Sequence, residues 1–219
     1  MTGFPGSPAV LKGGLVLVDP TSGAVRRVIA LQYNPDSLSR TLQVKRAGQD
    51  TPDHAEALRL TGPPVETIKL DAEIDATDQL EQPGSSPAAT EVGIFAALAA
   101  LETIVYPTSS QLAANNALAA AGTLEIIPME SALVLFVWSR SRIVPVRLTD
   151  LSVTEEAFDA SLNPIRARVS LGMRVLSVDD LGFQHQGGSL FMTHLQQKER
   201  LAGRAAGGGL GTLGLTGIR

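Results

Sequence analysis

The stretch from residue 144 to residue 176, VPVRLTDLSVTEEAFDASLNPIRARVSLGMRVL, predicts one long β-hairpin that turns at Asp159–Pro164. In its second strand, apolar residues occupy every other position from Ile165 to Val175. The intervening polar positions include the arginines Arg166, Arg168 and Arg174. Because successive side chains of a strand point to opposite faces, this pattern predicts one face on a core and one in water. An alternation of about ten residues is long for a strand and favours a protein that builds an extended surface.

A second two-faced strand is predicted over Val65–Ala76, and its water-facing side is mainly acidic. That side carries Lys69, Asp71, Glu73 and Asp75, while the alternate positions are apolar. If this strand neighbours the arginine strand in one sheet, we expect cross-strand ion pairs. Each such exposed pair contributes about 0.2–1 kcal/mol to stability.

The segment Ala132–Trp138 is apolar at positions that face both sides of a strand. Such a strand is either buried on both faces or covered by a neighbouring subunit. The second alternative gives five candidate residues for a subunit interface: Leu133, Leu135, Phe136, Trp138 and Phe158. Pro145 has no backbone N–H for a ladder, which predicts an edge position or a bulge for the strand Ile143–Thr149.

The remaining pattern predicts a mainly β fold with one or two short helices. Further strands are expected at Gly14–Val18, Ala24–Tyr33 and Leu38–Arg46. Helices are expected at Glu91–Val105 behind an N-cap at Thr90, at Ser110–Ala121 before Gly122, and at Ser189–Ala202. Residues 47–64 are predicted to form a long loop with a helical turn at 53–58. The glycine-rich residues 203–219 are predicted to form a tail that is disordered in the isolated chain.

The composition of the 219 residues limits the classes of protein that fit the sequence. Apolar residues make up 44% and charged residues 18%, which predicts a packed core, and the net charge of −4 disfavours nucleic-acid binding through bulk charge. There are no cysteines, so disulfides and thiolate metal sites are excluded. No apolar run approaches the roughly 18 residues of a membrane span, and no signal peptide is visible at the N-terminus, which predicts a soluble protein.

Residues with catalytic or metal-binding chemistry are present but lie in no recognised spacing. The acidic series at 71, 73, 75 and 78 lacks the glycine of a calcium loop, and residues two apart on a strand are nearly 7 Å apart. His54, His185 and His194 match no zinc motif, and no serine nucleophile elbow occurs. The arginines at 140, 142 and 147 could join the arginine strand in a phosphate-binding patch, but aromatic residues for base stacking are only 4%. We therefore predict no catalytic residues, no metal and no cofactor, and a protein that is not an enzyme.

Five short blocks occur in the order found in one known family. Residues 32–40, QYNPDSLSR, resemble the QYNP-x-[ST]-[LI]-x-R opening of the tube-type proteins of contractile injection systems. Residues 62–68, GPPVETI, followed by DATD at 75–78, resemble the next block. The three final blocks are LVLFVW at 133–138, VPV at 144–146, and TEEAF at 154–158 together with LNPIRA at 162–167. The resemblance covers about residues 12–201.

This resemblance implies a fold and an assembly. Its members have the β-barrel or rolled β-sandwich of phage tail tubes and form six-fold rings between the spike hub and the inner tube. It divides the chain into an N-terminal lead over 1–11, a tube-like domain over 12–188 with a helical insertion at about 90–122, and a C-terminal helix and tail over 189–219. Longer relatives carry a LysM domain, for which this chain has only the glycine-rich tail. The partners implied are copies of itself, the spike or hub protein, the inner tube protein, and baseplate wedge or sheath proteins, with no nucleic acid and no membrane insertion.

The expected function is therefore a structural ring of a phage-tail-like baseplate that templates tube assembly, in a particle put together in the cytoplasm. Its hydrophilic lumen, or a set of cross-strand ion pairs, would be formed by six charged residues: Asp71, Glu73, Asp75, Arg166, Arg168 and Arg174. The alternative is a carbohydrate- or peptidoglycan-binding β-sandwich module, which shares the all-β pattern. A hydrolase is a third alternative, without a motif to support it.

Overall fold

The computed structural model describes residues 11–46, 59–81, 84, 86–122, 131–205 and 207–218. Its seven strands are β1 Gly14–Val18, β2 Val25–Ala30, β3 Leu38–Gln43, β4 Val65–Asp75, β5 Leu133–Ser139, β6 Arg142–Phe158 and β7 Pro164–Val175. Its helices are α1 Thr77–Leu80, α2 Pro87–Val92, α3 Phe95–Glu102, α4 Ser109–Ala120, α5 Val178–Leu181 and α6 Gln186–Ala202, followed by a 3₁₀ helix at Leu210–Leu213. The predicted mainly β fold with a few short helices is confirmed. The predicted turn at 53–58 and His54 lie outside the described residues.

The strands form one antiparallel sheet in the order β2-β1-β5-β6-β7-β4-β3. The predicted long hairpin is its centre, with 17 residues in β6 and 12 in β7. The connection between them is fixed by Asp159, whose carboxylate accepts hydrogen bonds from the backbone N–H groups of Ser161 and Asn163 at 2.8 Å each. The side chain and backbone of Asn163 hold the pKa of Asp159 below its ordinary value.

The prediction that Pro145 marks an edge strand or a bulge is wrong. Strand β6 lies between β5 and β7, and Pro145 pairs in register with Leu135 of β5. Its carbonyl accepts a hydrogen bond from Leu176, one residue beyond the end of β7. The N–H and C=O of one residue in an antiparallel strand point toward the same neighbouring strand. The side of Pro145 that lacks an N–H therefore faces Leu176, just beyond the end of β7, and the β6–β7 ladder itself loses no hydrogen bond.

The predicted helix over residues 91–105 is two helices. Thr90 lies inside α2 rather than at an N-cap, and Gly93, with φ of +60°, separates α2 from α3. At this break the backbone N–H of Ile94 donates to the carbonyl of Pro164 at the start of β7, at 2.8 Å. The predicted apolar stripe lies on the α3 side of this break: Ile94, Leu98 and Leu101 are buried in one core, Val105 is 48% exposed, and that core includes no described residue of α2.

The core lies between one face of the sheet and α3. It combines residues of β1, β4, β5, β6 and β7 with Ile94, Leu98 and Leu101, which are all buried. Phe191 of α6 joins the same cluster. A smaller cluster on the other face of β5 contains Leu133 and Leu135, packed against Leu181 of α5 and Leu190 of α6. Strand β5 is therefore buried on both faces within its own chain.

We predict that Gly93 is required for the junction of α3 with the hairpin. A Cβ at this position would lie 2.1 Å from the Pro164 carbonyl oxygen, whereas a Cβ at Gly122 meets no described atom within 4 Å. Both glycines have positive φ, so Gly122→Ala should cost about 1–2 kcal/mol for its conformation alone. Gly93→Ala adds the clash and should cost about 2 kcal/mol more. Urea denaturation of both variants measures the difference, and equal losses of unfolding free energy would contradict the role of Gly93.

Candidate assembly surface

The two charged strands predicted from the sequence are neighbours, and their polar side chains form one face of the sheet. In the β4–β7 register Asp75 lies opposite Arg166, Glu73 opposite Arg168, and Asp71 opposite Ser170. We call this the charged face; its members are Thr67, Lys69, Asp71, Glu73, Asp75, Arg166, Arg168, Ser170 and Arg174. The opposite side of the same strands belongs to the core.

Arg166 makes the direct cross-strand ion pair of this face. Its guanidinium lies 2.7 Å from the carboxylate of Asp75 and 3.6 Å from that of Glu73. Partial burial raises the pKa of Asp75, but hydrogen bonds from Thr77 and Arg166 outweigh it and leave this pKa below its ordinary value. Asp75 therefore stays ionised above pH 4, and its side chain joins β4 to both β7 and α1.

The other two arginines pair away from β4. Arg168 lies 3.4 Å from Glu156 of β6, and Arg174 lies 2.6 Å from Asp180 of α5. Each arginine of the predicted cationic stripe thus has an acidic partner within its own chain. The face is therefore polar with locally balanced charge, a property that the stripe in the sequence does not reveal, because the partners come from three different elements.

The candidate interface residues divide into two groups by exposure. Leu133, Leu135 and Phe136 are buried in the clusters described above and present almost no surface to another molecule. Trp138 is half-buried and stacks on Phe136 with ring centroids 5.8 Å apart, and Phe158 is 49% exposed. Trp138 and Phe158 are the two members of the set that retain surface for contact with a neighbour.

Gln32 of the QYNP block holds the two halves of the sheet together. Its side-chain N–H donates to the carbonyl of Asp75 at 2.6 Å, and its side-chain oxygen accepts from the Asp75 backbone N–H at 2.9 Å. The amide group of Gln32 therefore pairs with the end of β4 as a strand residue would. We call this pair of hydrogen bonds the Gln32 clamp.

The Gln32 clamp requires the sheet to be rolled. Strands β2 and β4 are five places apart in the strand order, which in a flat sheet would separate them by about 24 Å. Gln32 follows the last residue of β2 by only two positions, and two extended residues span about 7 Å. A glutamine side chain is too short to span the remaining distance. The sheet must therefore curl until the end of β2 approaches the end of β4.

Asn34, two residues further on, makes a second amide clamp. Its side-chain oxygen accepts from the backbone N–H of Gly13 at 2.9 Å, and its side-chain N–H donates to the carbonyl of Leu11 at 2.8 Å. The block therefore ties the start of β1 and the end of β4 to one turn. The sequence predicted Gln32 at the end of a strand and Asn34 in a turn, but it did not reveal their backbone partners, up to 43 positions away.

Strands β2 and β3 lie at the two ends of the strand order, and within the described ranges each has one ladder partner. Both carry exposed aliphatic side chains: Val25 and Val28 of β2 are each 63% exposed, and Leu42 of β3 is 48% exposed. Edge strands with free backbone groups and apolar side chains are sites where another chain can extend a sheet.

A buried charge cluster joins α6 to the sheet, and sequence reasoning missed it. Glu66 of β4 lies 2.6 Å from Arg40 of β3 and 3.1 Å from Lys198 of α6, while only 6% of Glu66 is exposed. Burial raises the pKa of Glu66, but the two cations outweigh it and lower this pKa. The sequence feature that could have predicted this buried charge is the position of Glu66 on the core-facing side of the alternation in β4.

Among the residues that the structure describes, no three metal-binding side chains come together. No helix in the same part of the chain is long and apolar enough to cross a membrane. Comparison of the sequence with models of known protein families and with curated proteins found no match.

We predict that the Gln32 clamp is sensitive to the loss of one donor. Gln32→Glu replaces the side-chain N–H by a carboxylate oxygen that faces the Asp75 carbonyl, which should cost about 2–3 kcal/mol of unfolding free energy. Gln43→Glu makes the same chemical change on an exposed residue of β3 and should cost less than about 0.5 kcal/mol. Chemical denaturation of both variants is the measurement. Similar stabilities for the two variants would show that the clamp does not hold the sheet.

Proposed function

We propose that the protein is a structural ring component of a contractile, phage-tail-like injection system. In this proposal it joins the spike or hub of the baseplate to the inner tube and templates the assembly of the tube, without catalysis. The observation that carries the proposal is the role of the QYNP block, the most distinctive element of the family resemblance. Gln32 of that block binds the end of β4 across the rolled sheet, and Asn34 binds backbone groups just before β1. The block is thus tied to the rolled β architecture that the resemblance implies.

A ring requires a head-to-tail interface, because contact between two different surfaces of each copy closes into a cycle. Strands β2 and β3 supply two such surfaces at the two ends of the strand order. We propose that β2 of one copy lies beside β3 of the next, so that the sheet continues from copy to copy. Val25, Val28 and Leu42 would then lose the exposure that they have in the single chain.

The charged face suits the lumen of such a ring. Its three arginines pair with acidic groups of the same chain, and Ser152 and Ser170 lie opposite each other in the β6–β7 register. A wall of this kind is hydrated and carries no large field of one sign, so it holds a passing molecule only weakly. The proposal therefore assigns the charged face to the channel and β2 and β3 to the contacts between copies.

Electron microscopy of particles tests this function. A strain that lacks the gene should yield no assembled tubes, and a tagged wild-type copy should restore them with the tag at the junction of spike and tube. Val28→Lys, on β2, should fail to restore them because it places an ammonium group at the proposed contact. Leu162→Lys, a matched change at the exposed turn of the hairpin, should restore them fully. A folded monomer that is absent from particles would contradict the proposal.

A further inference from the structure

Helix α6 carries two histidines whose contacts suit the neutral imidazole. At its N-cap, Nδ1 of His185 accepts a hydrogen bond from the backbone N–H of Gly187 at 3.0 Å. Further along, His194 is buried, with 7% of its surface exposed, and its Nδ1 has no hydrogen-bond partner among the described residues. A proton on Nδ1 of His194 would add a buried charge with no hydrogen-bond partner at that atom among the described residues.

The groups around His194 make an added positive charge costly. Lys198 lies one turn further along α6, Arg40 comes from β3, and Arg142 comes from β6. The acidic group that faces His194, Glu66 of β4, is already bound to Arg40 and Lys198. Burial, together with Lys198, lowers the pKa of His194 below its ordinary 6.5, and Glu66 opposes this.

The carboxylates of α5, which packs against the start of α6, are also already paired with cations. The carboxylates of α5, Asp179 and Asp180, are bound to Lys45 and Arg174. The cleft that holds His185 is lined by apolar side chains and by Arg147, another cation. An acid-induced charge on α6 is therefore met by cations on β3, β6 and α6 itself.

The docking of the N-terminus of α6 also depends on an intact cap. A Cβ at Gly188 would lie 1.9 Å from the carbonyl oxygen of Gly182, and one at Gly187 would lie 2.4 Å from the side chain of Leu181. The first turn of α6 thus packs directly against the end of α5 through its backbone. A contact this close tolerates little displacement, so loss of the cap loosens the whole end of the helix.

We propose that α6 is an acid-released helix, which docks on the sheet while His194 is neutral and leaves it when His194 is protonated. This goes beyond the proposed function, because it assigns a conformational change to the C-terminal part of the chain. Release would uncover the charge cluster at Glu66 and free the segment that follows α6.

The direction of the pH effect follows from proton binding. His194 binds a proton less readily in the docked helix than in the released one, so docking weakens as the pH falls below about 6.5. For each proton taken up, the ratio of released to docked helix rises by up to about tenfold per pH unit. Glu66 acts in a different window: its pKa lies below the ordinary 4.5, so it keeps its contribution until the pH falls below that value.

Hydrogen–deuterium exchange of the full chain at pH 7.4, 6.5, 5.8 and 5.0, with exchange times corrected for intrinsic rates, tests the proposal. The opening constant of α6 should rise as the pH falls from 6.5 to 5.0, by more than about threefold and by up to about tenfold per pH unit, while the β6–β7 hairpin changes by less than about threefold. His185→Asn with His194→Gln should remove this rise, because asparagine keeps an N-cap acceptor and glutamine does not titrate. An α6 that stays as protected as the hairpin, or a rise that survives in the double variant, would overturn the proposal.

Titration of the wild-type histidines by NMR keeps the test decisive if the double variant does not fold. The ring resonance of His194 should titrate below pH 6.5, with a midpoint that coincides with the loss of α6 protection. A midpoint at or above 6.5 with α6 still protected would equally overturn the proposal.

Discussion

The roll of the sheet depends on one pair of hydrogen bonds, between the side-chain amide of Gln32 and the backbone of Asp75. Most of the stability of the fold comes from the apolar core, since a single hydrogen bond contributes about 0.5–1.5 kcal/mol net. The clamp fixes something else, which is the distance between the end of β2, at one edge of the sheet, and the end of β4, the strand next to the other edge. Asp75 then carries this constraint on to β7 through Arg166 and to α1 through Thr77.

The acidic partners of the arginine strand come from its immediate neighbours. Strand pairing places β4 and β6 on either side of β7, and α5 follows β7 along the chain, so Arg166, Arg168 and Arg174 each meet an acidic partner. The positive charge of the arginines on β7 is balanced by acidic side chains from β4, β6 and α5. The charged face is hydrated and its arginines are paired, which fits the wall of a channel better than a site that binds a specific anion.

Most of the fold could be predicted from the sequence because its signals are local. Strand alternation located β4 and β7 to within a residue or so, and Gly122 correctly ended the helix α4. The break at Gly93 could not be predicted, because it depends on a carbonyl 71 positions away, that of Pro164. Leu133, Leu135 and Phe136 were assigned to an interface because a strand that is apolar on both faces looks the same whether a helix or a subunit covers it.

The candidate site was less predictable than the fold. Its charged residues were named from the sequence, but their pairing was not, since Arg168 pairs with β6 rather than with the strand beside it in the prediction. Glu66 was missed and the burial of His194 was not predicted, because a buried titratable residue is recognisable only once its surroundings are known. The proposed assembly depends on β2 and β3, whose role rests on topology rather than on any motif.

The central claim is that β2 of one copy lies beside β3 of the next, and the absence of cysteine from the sequence allows a direct test. Val28→Cys and Leu42→Cys are prepared separately, mixed under conditions of assembly and oxidised. The account predicts a disulfide between one Val28→Cys chain and one Leu42→Cys chain, and a ladder up to a closed six-membered ring from the double variant. Disulfides that form equally well within either single variant, or only within one chain of the double variant, would contradict it.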